Sequence, residues 1–353
     1  MTDHTMRAAA VEIDARLEAE WDDLAVRTEA APFSRPAWVR AWSDAFERDV
    51  RAATVRRGGR LAAVVPVTER SKAVATAAGW HVPMLEAVAA DREALDALAT
   101  HLLTDRRRVT IDFVPADGQT AAAFEAAFHR FGFRVRSRPR LESPFVDFAD
   151  GWDPFVEAVS TRKWRELRRR RRRLEEVGAV EFEVSDGSHD LDRQLSEGFV
   201  VEGSGWKNSR GTAIGSDRQA ERFYREVTCW ASHEGMARVA FLRVDGRPIA
   251  FDLSFVHGGT EWLLKTGFDP AWSRFSPGSL LRAEALRRAC DEKVLVYEFA
   301  GAADPWKLEW ATATRPILVI DGFAPGLGGT AEMQVARLKR RGRVLLSRGR
   351  GTS

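Results

Sequence analysis

Three apolar segments separated by two short glycine turns constrain the fold of this chain more than any other feature. The segments read ARVAFLRV, RPIAFDLSFV and TEWLLKTGF, and they begin at Ala237, Arg247 and Thr260. Asp245-Gly246 and Gly258-Gly259 stand between them, and such pairs favour the positive φ angles of tight hairpin turns. The pattern therefore predicts an antiparallel meander of three strands.

The two halves of the chain repeat one order of elements. Each half has predicted helices, then a hairpin, then a helix and a strand, and the hairpin of the first half turns at Gly58-Gly59. The 353 residues exceed what one hydrophobic core usually spans. We therefore expect an α/β (α+β) protein with two domains, over residues 1–150 and 151–322, whose mixed, mainly antiparallel sheets are flanked by helices. A basic tail is expected at residues 323–353.

The composition argues against several classes of protein. The formal net charge is +3, from 54 basic and 51 acidic residues, which is less lopsided than a surface devoted to nucleic acid. Cys229 and Cys290 are far apart and lack metal-ligand spacing, so we expect neither a disulfide nor a metal site. The acidic start is unlike a signal peptide, and no run of 18 apolar residues occurs. We expect a cytoplasmic protein, or one held at the inner membrane face by its basic tail.

The most basic segment, KWRELRRRRRRLEEVG, contains six consecutive arginines from Arg168 to Arg173. On a helix, Trp164 and Leu174 share an apolar seam while the arginine heads stay in water. Three interpretations stay open at this point. The run is a solvated helix face, a site for an anionic substrate group with Arg165 and Arg168 as candidates, or a contact for nucleic acid.

A loop after the third predicted strand indicates a second anion site. The loop lies in the stretch SRFSPGSLL and holds Arg274, Pro277, Gly278 and Ser279. Glycine lets a backbone approach a ligand closely, and unpaired N–H groups at a helix start favour a phosphate. The loop therefore predicts a diphosphate site whose backbone donors extend to Leu280. An ordinary strand-to-helix turn capped by serine explains the same residues.

The stretch from Gly246 to Ala311 resembles the core of the GNAT N-acyltransferases. SPGSLL, YEF and WKLEW within it are similar to the acetyltransferases linked to cellulose and exopolysaccharide synthesis, the CelD/BcsL-like family. FSRPAWVRAW and GWKNSRGTAI match that family elsewhere, so the resemblance spans roughly residues 30–320. The family is distantly Fem-like, and the resemblance implies tandem GNAT-like folds. The first copy lacks the loop and is interpreted as degenerate.

The resemblance also implies a reaction and the residues that perform it. In a GNAT enzyme an amine attacks the thioester of acetyl-CoA or another acyl-CoA, which requires a base and N–H donors for the oxyanion. Glu298 is the first candidate for the base or the amine binder, and Asp252, inside an apolar strand, is the second. Thr266 and Gly267 are the candidates for the backbone donors. The usual acyl-CoA loop differs, because Gly278 is offset by one position.

Three further residues are candidates for binding the substrate. Lys307 matches a lysine at the substrate groove of Fem-like relatives and is a candidate for binding the phosphate of an activated sugar. Trp206 and Lys207 are candidates for a lid. Each assignment has a structural alternative: a paired carboxylate at Glu298, a surface lysine at Lys307, and a plain loop around Trp206.

Three hypotheses for the function follow. The favoured one is an acyltransferase that uses acyl-CoA and an amine, such as that of an amino sugar or polysaccharide precursor. The second is a Fem-like transferase that takes its acyl group from aminoacyl-tRNA, although the long helical arm of such relatives is not recognisable in the sequence. The third is a non-catalytic GNAT-like module in exopolysaccharide synthesis.

Overall fold

The computed structural model of the chain describes residues 6–204 and 217–349, with side chains up to residue 338 in the last helix. These residues divide into two compact units. Unit 1 contains Met1–Pro36, Asp49–Arg140 and Pro316–Ser353, and unit 2 contains Ala37–Arg48 and Leu141–Arg315. Each unit has a mixed, mainly antiparallel sheet flanked by helices, which confirms the predicted fold class.

The described residues form the following strands and helices. The strands are β1 (Met6–Val11), β2 (Arg51–Arg57), β3 (Arg60–Arg70), β4 (Ala73–Thr76), β5 (Val88–Ala89), β6 (Arg108–Pro115), β7 (Arg134–Asp147), β8 (Val180–Ser185), β9 (Ala237–Val244), β10 (Arg247–His257), β11 (Thr260–Phe268), β12 (Val296–Glu298) and β13 (Ala313–Phe323). The helices are α1 (Ala15–Arg27), α2 (Pro36–Ala45), α3 (Arg92–Leu103), α4 (Gln119–Arg130), α5 (Trp152–Ala158), α6 (Thr161–Glu175), α7 (Leu191–Gly203), α8 (Arg218–His233), α9 (Pro277–Asp291), α10 (Pro305–Leu308) and α11 (Leu327–Gly349). None of these helices is long and apolar enough to cross a lipid bilayer.

The units differ from the contiguous domains expected at residues 1–150 and 151–322. Unit 1 takes one strand from the far end of the chain, because β13 pairs antiparallel with β6 from Ile317 to Phe323. Such a pairing joins residues about two hundred positions apart, and no local pattern in the sequence reveals it. The segment expected to be a tail at 323–353 falls within unit 1, where α11 follows β13.

In unit 1 the strands lie in the order β1-β2-β3-β4-β6-β13, with β5 paired to β3. Among the described strands of this unit, β4 and β6 alone run parallel, over the three pairs from Ala73 and Arg108 to Ala75 and Thr110. The predicted hairpin at Gly58-Gly59 is confirmed, with φ angles of 57° and 81° that an L residue rarely adopts.

In unit 2 the strands lie in the order β7-β12-β11-β10-β9-β8, to which β7 contributes residues 141–147. The predicted meander is confirmed as β9, β10 and β11, and its turns carry positive φ angles at both predicted pairs. The side chains of neighbouring strand residues point to opposite faces. Thr266 contacts Arg282 of α9 and Gly267 lies against Glu202 of α7, so α7 and α9 cover opposite faces of this sheet.

Helix α6 packs by the apolar seam that the sequence predicts. Leu167 and Leu174 are buried, and the indole N–H of Trp164 donates to the Val156 carbonyl at 3.2 Å. Trp164 also meets Trp310 edge to face, with ring centroids 5.7 Å apart. The arginines of the run therefore lie on a helix that is firmly attached to unit 2 by its opposite side.

Candidate active site

Strands β11 and β12 separate soon after they begin to pair. They are parallel over three pairs, from Thr260 and Val296 to Trp262 and Glu298, where β12 ends. Strand β11 continues to Phe268, paired with β10 on its other side. From Leu263 onward, one edge of β11 therefore faces no other strand among the residues described. Alternate N–H and C=O groups on such an edge are available to a ligand, and Thr266 and Gly267 lie on this part.

The start of α9 offers fewer free amides than the sequence predicts. The carbonyl of Ser276 accepts from the N–H of Ser279 at 3.0 Å and from that of Leu280 at 3.1 Å. Pro277 has no N–H, so in the described part of the chain Gly278 alone of the predicted donors keeps its N–H without an internal acceptor. No side chain caps this helix, and Ser276 adopts a left-handed φ of 51°.

The other two features of the loop are compatible with a ligand without requiring one. A Cβ at Gly278 would meet only Phe268, at an ordinary 3.4 Å, so space does not demand glycine there. Arg274 is exposed, and its guanidinium lies 4.6 Å from the centroid of the Phe275 ring. The loop thus presents one positive charge, one backbone N–H and the half-buried Ser279.

A buried ion pair joins α9 to the sheet. Asp252 of β10 is 2% exposed and Arg282 is 1% exposed, and Arg282 donates to Asp252 Oδ1 at 2.8 Å. Arg282 also donates to the hydroxyl of Tyr297 and, at 3.4 Å, to that of Thr266. Burial raises the pKa of Asp252, and the attraction of Arg282 opposes that rise. Asp252, the second candidate base, is therefore engaged with Arg282 beneath α9.

A second buried carboxylate lies on the same face. Glu261 of β11 is fully buried and accepts from the hydroxyl of Ser254 and from Arg288 of α9, both at 2.6 Å. Arg288 also donates to Glu292 at 2.9 Å, so its charge is shared between two carboxylates. Two ionic contacts thus fasten α9 to the meander.

Glu298 lies at the point where β11 and β12 separate, on the face opposite α9. It is 1% exposed, and its Oε1 accepts from the hydroxyl of Ser143 at 2.7 Å. Its Oε2 lies 3.2 Å from Nε of Arg315, whose guanidinium packs over the ring of Phe145. The first candidate base is therefore a fixed, charge-balanced carboxylate beside the opening between the strands.

Three polar side chains on the α7 face were not predicted from the sequence. Lys265 of β11 is half-buried, with its Nζ 4.5 Å from the ring centroid of Tyr224. Burial lowers the pKa of Lys265, against the attraction of Glu202 and Asp217, and burial raises the pKa of Tyr224. Glu202 is 1% exposed. A charged residue inside an otherwise apolar strand, as Lys265 is in TEWLLKTGF, is the signal that could have identified this cluster.

Gly267 permits the close approach of α7 to β11. A Cβ at this position would lie 2.5 Å from Cα of Glu202, which is closer than atoms can pack. The last turn of α7 therefore rests directly on the part of β11 that extends beyond its last pair with β12. This contact places Glu202 beside the strand edge that the sequence assigned to backbone donors.

The remaining predicted residues are bonded to backbone carbonyls, exposed on α6, or outside the described residues. Lys307 is 8% exposed, and its Nζ donates to the carbonyls of Ala300 and Ala302 at 2.6 and 3.0 Å. It therefore holds the loop after β12. Arg165 and Arg168 are exposed on α6. Trp206 and Lys207 fall in residues 205–216, outside the part of the chain that the structure describes.

The segment of unit 2 over residues 160–308 matches the family described as the acetyltransferase (GNAT) domain. It contains α6, the meander, α9, β12 and α10. No curated protein matches the chain in sequence. Within the described residues, no group of three or more His, Cys, Asp and Glu side chains is arranged to hold a metal ion.

Several solved structures share the fold over most of the chain. FemX matches with a TM-score of 0.60 and 12% identity, over 93% of this chain and 99% of that one. A conserved protein of unknown function from Bacteroides thetaiotaomicron matches with a TM-score of 0.59 and 14% identity, over 90% and 100%. The C-terminal domain (DUF2156) of a protein described as a lysylphosphatidylglycerol synthetase from Agrobacterium fabrum matches with a TM-score of 0.56 and 14% identity, over 91% and 95%. These likenesses, at 12–14% identity, show that the chain shares the fold of FemX and of the other two structures.

Proposed function

We propose that unit 2 is an N-acyltransferase that moves an acyl group from an acyl-CoA thioester to an amine. The observation that carries the proposal is the separation of β11 from β12 after three paired residues. An extended ligand can add to a free strand edge through main-chain hydrogen bonds. The pantetheine arm of coenzyme A is extended and carries amide groups, so it suits the free edge of β11 from Leu263 to Phe268.

In the proposed reaction the amine nitrogen attacks the thioester carbonyl carbon. The N–C bond forms, the C–S bond breaks, and coenzyme A leaves as the thiolate. Glu298 takes the amine proton, directly or through a water molecule, because it is the carboxylate at the opening between the strands. A backbone N–H at Thr266 or Gly267 donates to the oxyanion that forms on the carbonyl oxygen.

The diphosphate of the donor would contact Arg274, the hydroxyl of Ser279 and the N–H of Gly278. The amides of Ser279 and Leu280 already donate to Ser276, so the charge of Arg274 carries more of this contact than the helix amides do. Arg165 and Arg168 remain candidates for an anionic group of the acceptor. The acceptor itself is proposed to be an amino sugar or a polysaccharide precursor, as in the CelD/BcsL-like family.

Isothermal titration with acetyl-CoA tests the donor. We expect saturable binding by the wild-type protein and about tenfold weaker binding by Arg274→Ala, since one charge-assisted contact contributes 1.5–3 kcal/mol. Absence of binding by protein that is folded by circular dichroism would contradict the acyl-CoA donor. Retention of aminoacyl-tRNA by such protein would support the Fem-like alternative, which the shared fold with FemX keeps open.

Release of free thiol from acetyl-CoA, with glucosamine as the amine, tests the role of Glu298. We expect Glu298→Gln to bind acetyl-CoA normally and to lose about 100-fold or more in kcat/KM, which is the usual contribution of a general base. Ser143→Ala is the matched control, because it removes a hydrogen bond from the same carboxylate and keeps the carboxylate itself. Equal losses in the two variants would indicate a structural role for Glu298.

A further inference from the structure

Helix α6 carries a row of arginines along its outer side. Successive residues of an α-helix are about 100° apart, so positions three or four apart share one side. Six exposed arginines lie on the side away from the buried Leu167 and Leu174; Arg169 pairs with Glu166, and the other five do not. We call them the arginine stripe: Arg162, Arg165, Arg168, Arg172 and Arg173. The stripe covers eleven residue steps, or about 16 Å at 1.5 Å per residue.

The arginine stripe has no acidic partner among the residues that the structure describes. The acidic side chains near α6 bind the other basic residues of the helix. Glu166 binds Arg169 and Arg170, at 2.7 and 2.6 Å. Arg171 binds Glu175 and Glu284, at 3.0 and 2.8 Å.

Lys163, at the start of the helix, binds Glu309 at 2.9 Å. The other basic residues of α6 are therefore paired with carboxylates, while the arginine stripe holds five positive charges without an acidic partner among the described residues. Like charges three or four residues apart destabilise a helix, by a few tenths of a kcal/mol for each pair. A partner with regularly spaced negative charges would offset this repulsion along the whole row.

We propose that the arginine stripe binds the phosphodiester backbone of a double-stranded nucleic acid. A nucleic-acid strand carries one charge per about 3.4 Å of its axis. The five arginines are spread over about 16 Å, or one per about 4 Å of helix, so their density along the axis is similar to that of the phosphates of one strand. Guanidinium groups also match phosphate oxygens with two parallel hydrogen bonds.

The apolar and aromatic residues of α6 indicate which kind of polyanion the stripe binds. An interfacial helix binds a membrane by burying an apolar face in the lipid, but the apolar residues Leu167 and Leu174 of α6 are buried in unit 2 instead. Trp164, the one aromatic residue of α6, packs against Trp310, and single-stranded nucleic acids are held mainly by bases stacked on exposed aromatic rings. Contact with the backbone of a duplex, without preference for sequence, remains.

Fluorescence anisotropy of the full-length protein with labelled duplexes of 20 base pairs, one of RNA and one of DNA, tests the proposal. About five phosphate contacts predict a slope near −4.5 for log K against log salt. Replacing the five arginines of the stripe by Gln should weaken binding about 100-fold at 50 mM salt and flatten the slope. Binding of RNA alone or of both duplexes would support the proposal and identify the source of the phosphates.

The matched control removes the same number of charges elsewhere in unit 2, and it should bind both duplexes as the wild type does. Its five exposed arginines, all replaced by Gln, are Arg193, Arg218, Arg222, Arg247 and Arg287. A stripe variant in which Lys replaces each Arg tests folding and charge, and it should bind within about tenfold of the wild type. Equal losses in the stripe and control variants, or wild-type binding only to vesicles of anionic phospholipid or to polyglutamate, would overturn the proposal.

Discussion

Helices α3 and α9 occupy corresponding places in the two units but meet their sheets differently. Each follows a set of antiparallel strands and leads to a strand that runs parallel to one of them. Helix α3 buries apolar side chains, including Leu95, Leu98 and Leu102. Helix α9 buries Leu281 and Leu286 too, but it also places Arg282 in the core against Asp252.

The N-termini of α3 and α9 also differ, because a side chain caps one and not the other. Asp91 caps α3 by accepting from the N–H of Ala94 at 2.9 Å, and Arg57 binds the same carboxylate with two hydrogen bonds. No side chain caps α9. Strand β4 ends at Thr76, close to its last pair with β6, whereas β11 runs on beyond its last pair with β12.

The comparison suggests why unit 2 keeps buried charges. Well-packed apolar residues often stabilise a core as well as a buried ion pair or better, because the pair must be desolvated. Unit 1 has apolar side chains beneath α3, and Asp91 caps the start of that helix. Unit 2 retains the ion pair where strands separate, which supports the proposal that unit 2 performs the chemistry and unit 1 is the degenerate copy.

The largest expected effect comes from breaking the ion pair beneath α9. Arg282→Met should lower the free energy of unfolding by about 3–5 kcal/mol, because it leaves Asp252 buried and uncompensated. The double variant Asp252→Leu/Arg282→Met should recover most of that loss. Urea unfolding followed by tryptophan fluorescence measures both values. A double variant no more stable than the single one would mean that packing around Arg282, and not the orphaned charge, sets the cost.

The sequence predicts those parts of the fold that local chemistry determines. Asp245-Gly246 and Gly258-Gly259 adopt the expected positive φ angles, because such turns depend on two residues alone. The partner of β13 is β6, which lies near residue 110, and only tertiary packing selects this pairing. The discontinuous units follow from this pairing and were therefore missed.

The candidate site was predicted in part. Asp252 was recognised as a costly charge in an apolar strand, but its partner was missed. Arg282 lies four residues from Gly278 and from Leu286, on the seam that α9 buries, and this position was the available signal. Lys307 and Glu298 were selected as candidate site residues, but their partners were not predicted. Lys307 binds loop carbonyls and Glu298 lies beside Arg315, and the sequence does not specify where these partners lie.

A smaller effect is expected where α7 rests on β11. Gly267→Ala should cost about 1–3 kcal/mol of unfolding free energy, because its Cβ has no room beside Glu202. Gly278→Ala is the matched substitution in the loop before α9, and it should change stability by less than about 0.5 kcal/mol. Thermal unfolding followed by circular dichroism compares the two. If Gly278→Ala also weakens acetyl-CoA binding, the ligand approaches the backbone at that residue; similar stability losses in both variants would contradict the close approach at Gly267.

The smallest effect concerns the cap of α3. Asp91→Ala should cost about 1 kcal/mol at pH 7, chiefly through the lost cap, because the carboxylate is 43% exposed and its ion pair is screened. Arg57 lowers the pKa of Asp91 to about 2, so the carboxylate stabilises the folded state above its unfolded pKa near 3.9 and loses that effect as pH falls toward 2. Urea unfolding of both proteins between pH 7 and pH 3 should show the difference shrinking below about pH 4. A difference that does not vary with pH would exclude the ionised cap.

The place of β13 in the chain also governs the order in which the protein can be built on the ribosome. Domains generally fold as they emerge, from the N-terminus onward. Unit 1 cannot do so, because the sheet that begins with β1 waits for residues 316–323 to leave the exit tunnel. All segments of unit 2 are synthesised by residue 315, before β13 is complete. Unit 1, whose first strands are translated first, therefore completes its folding last.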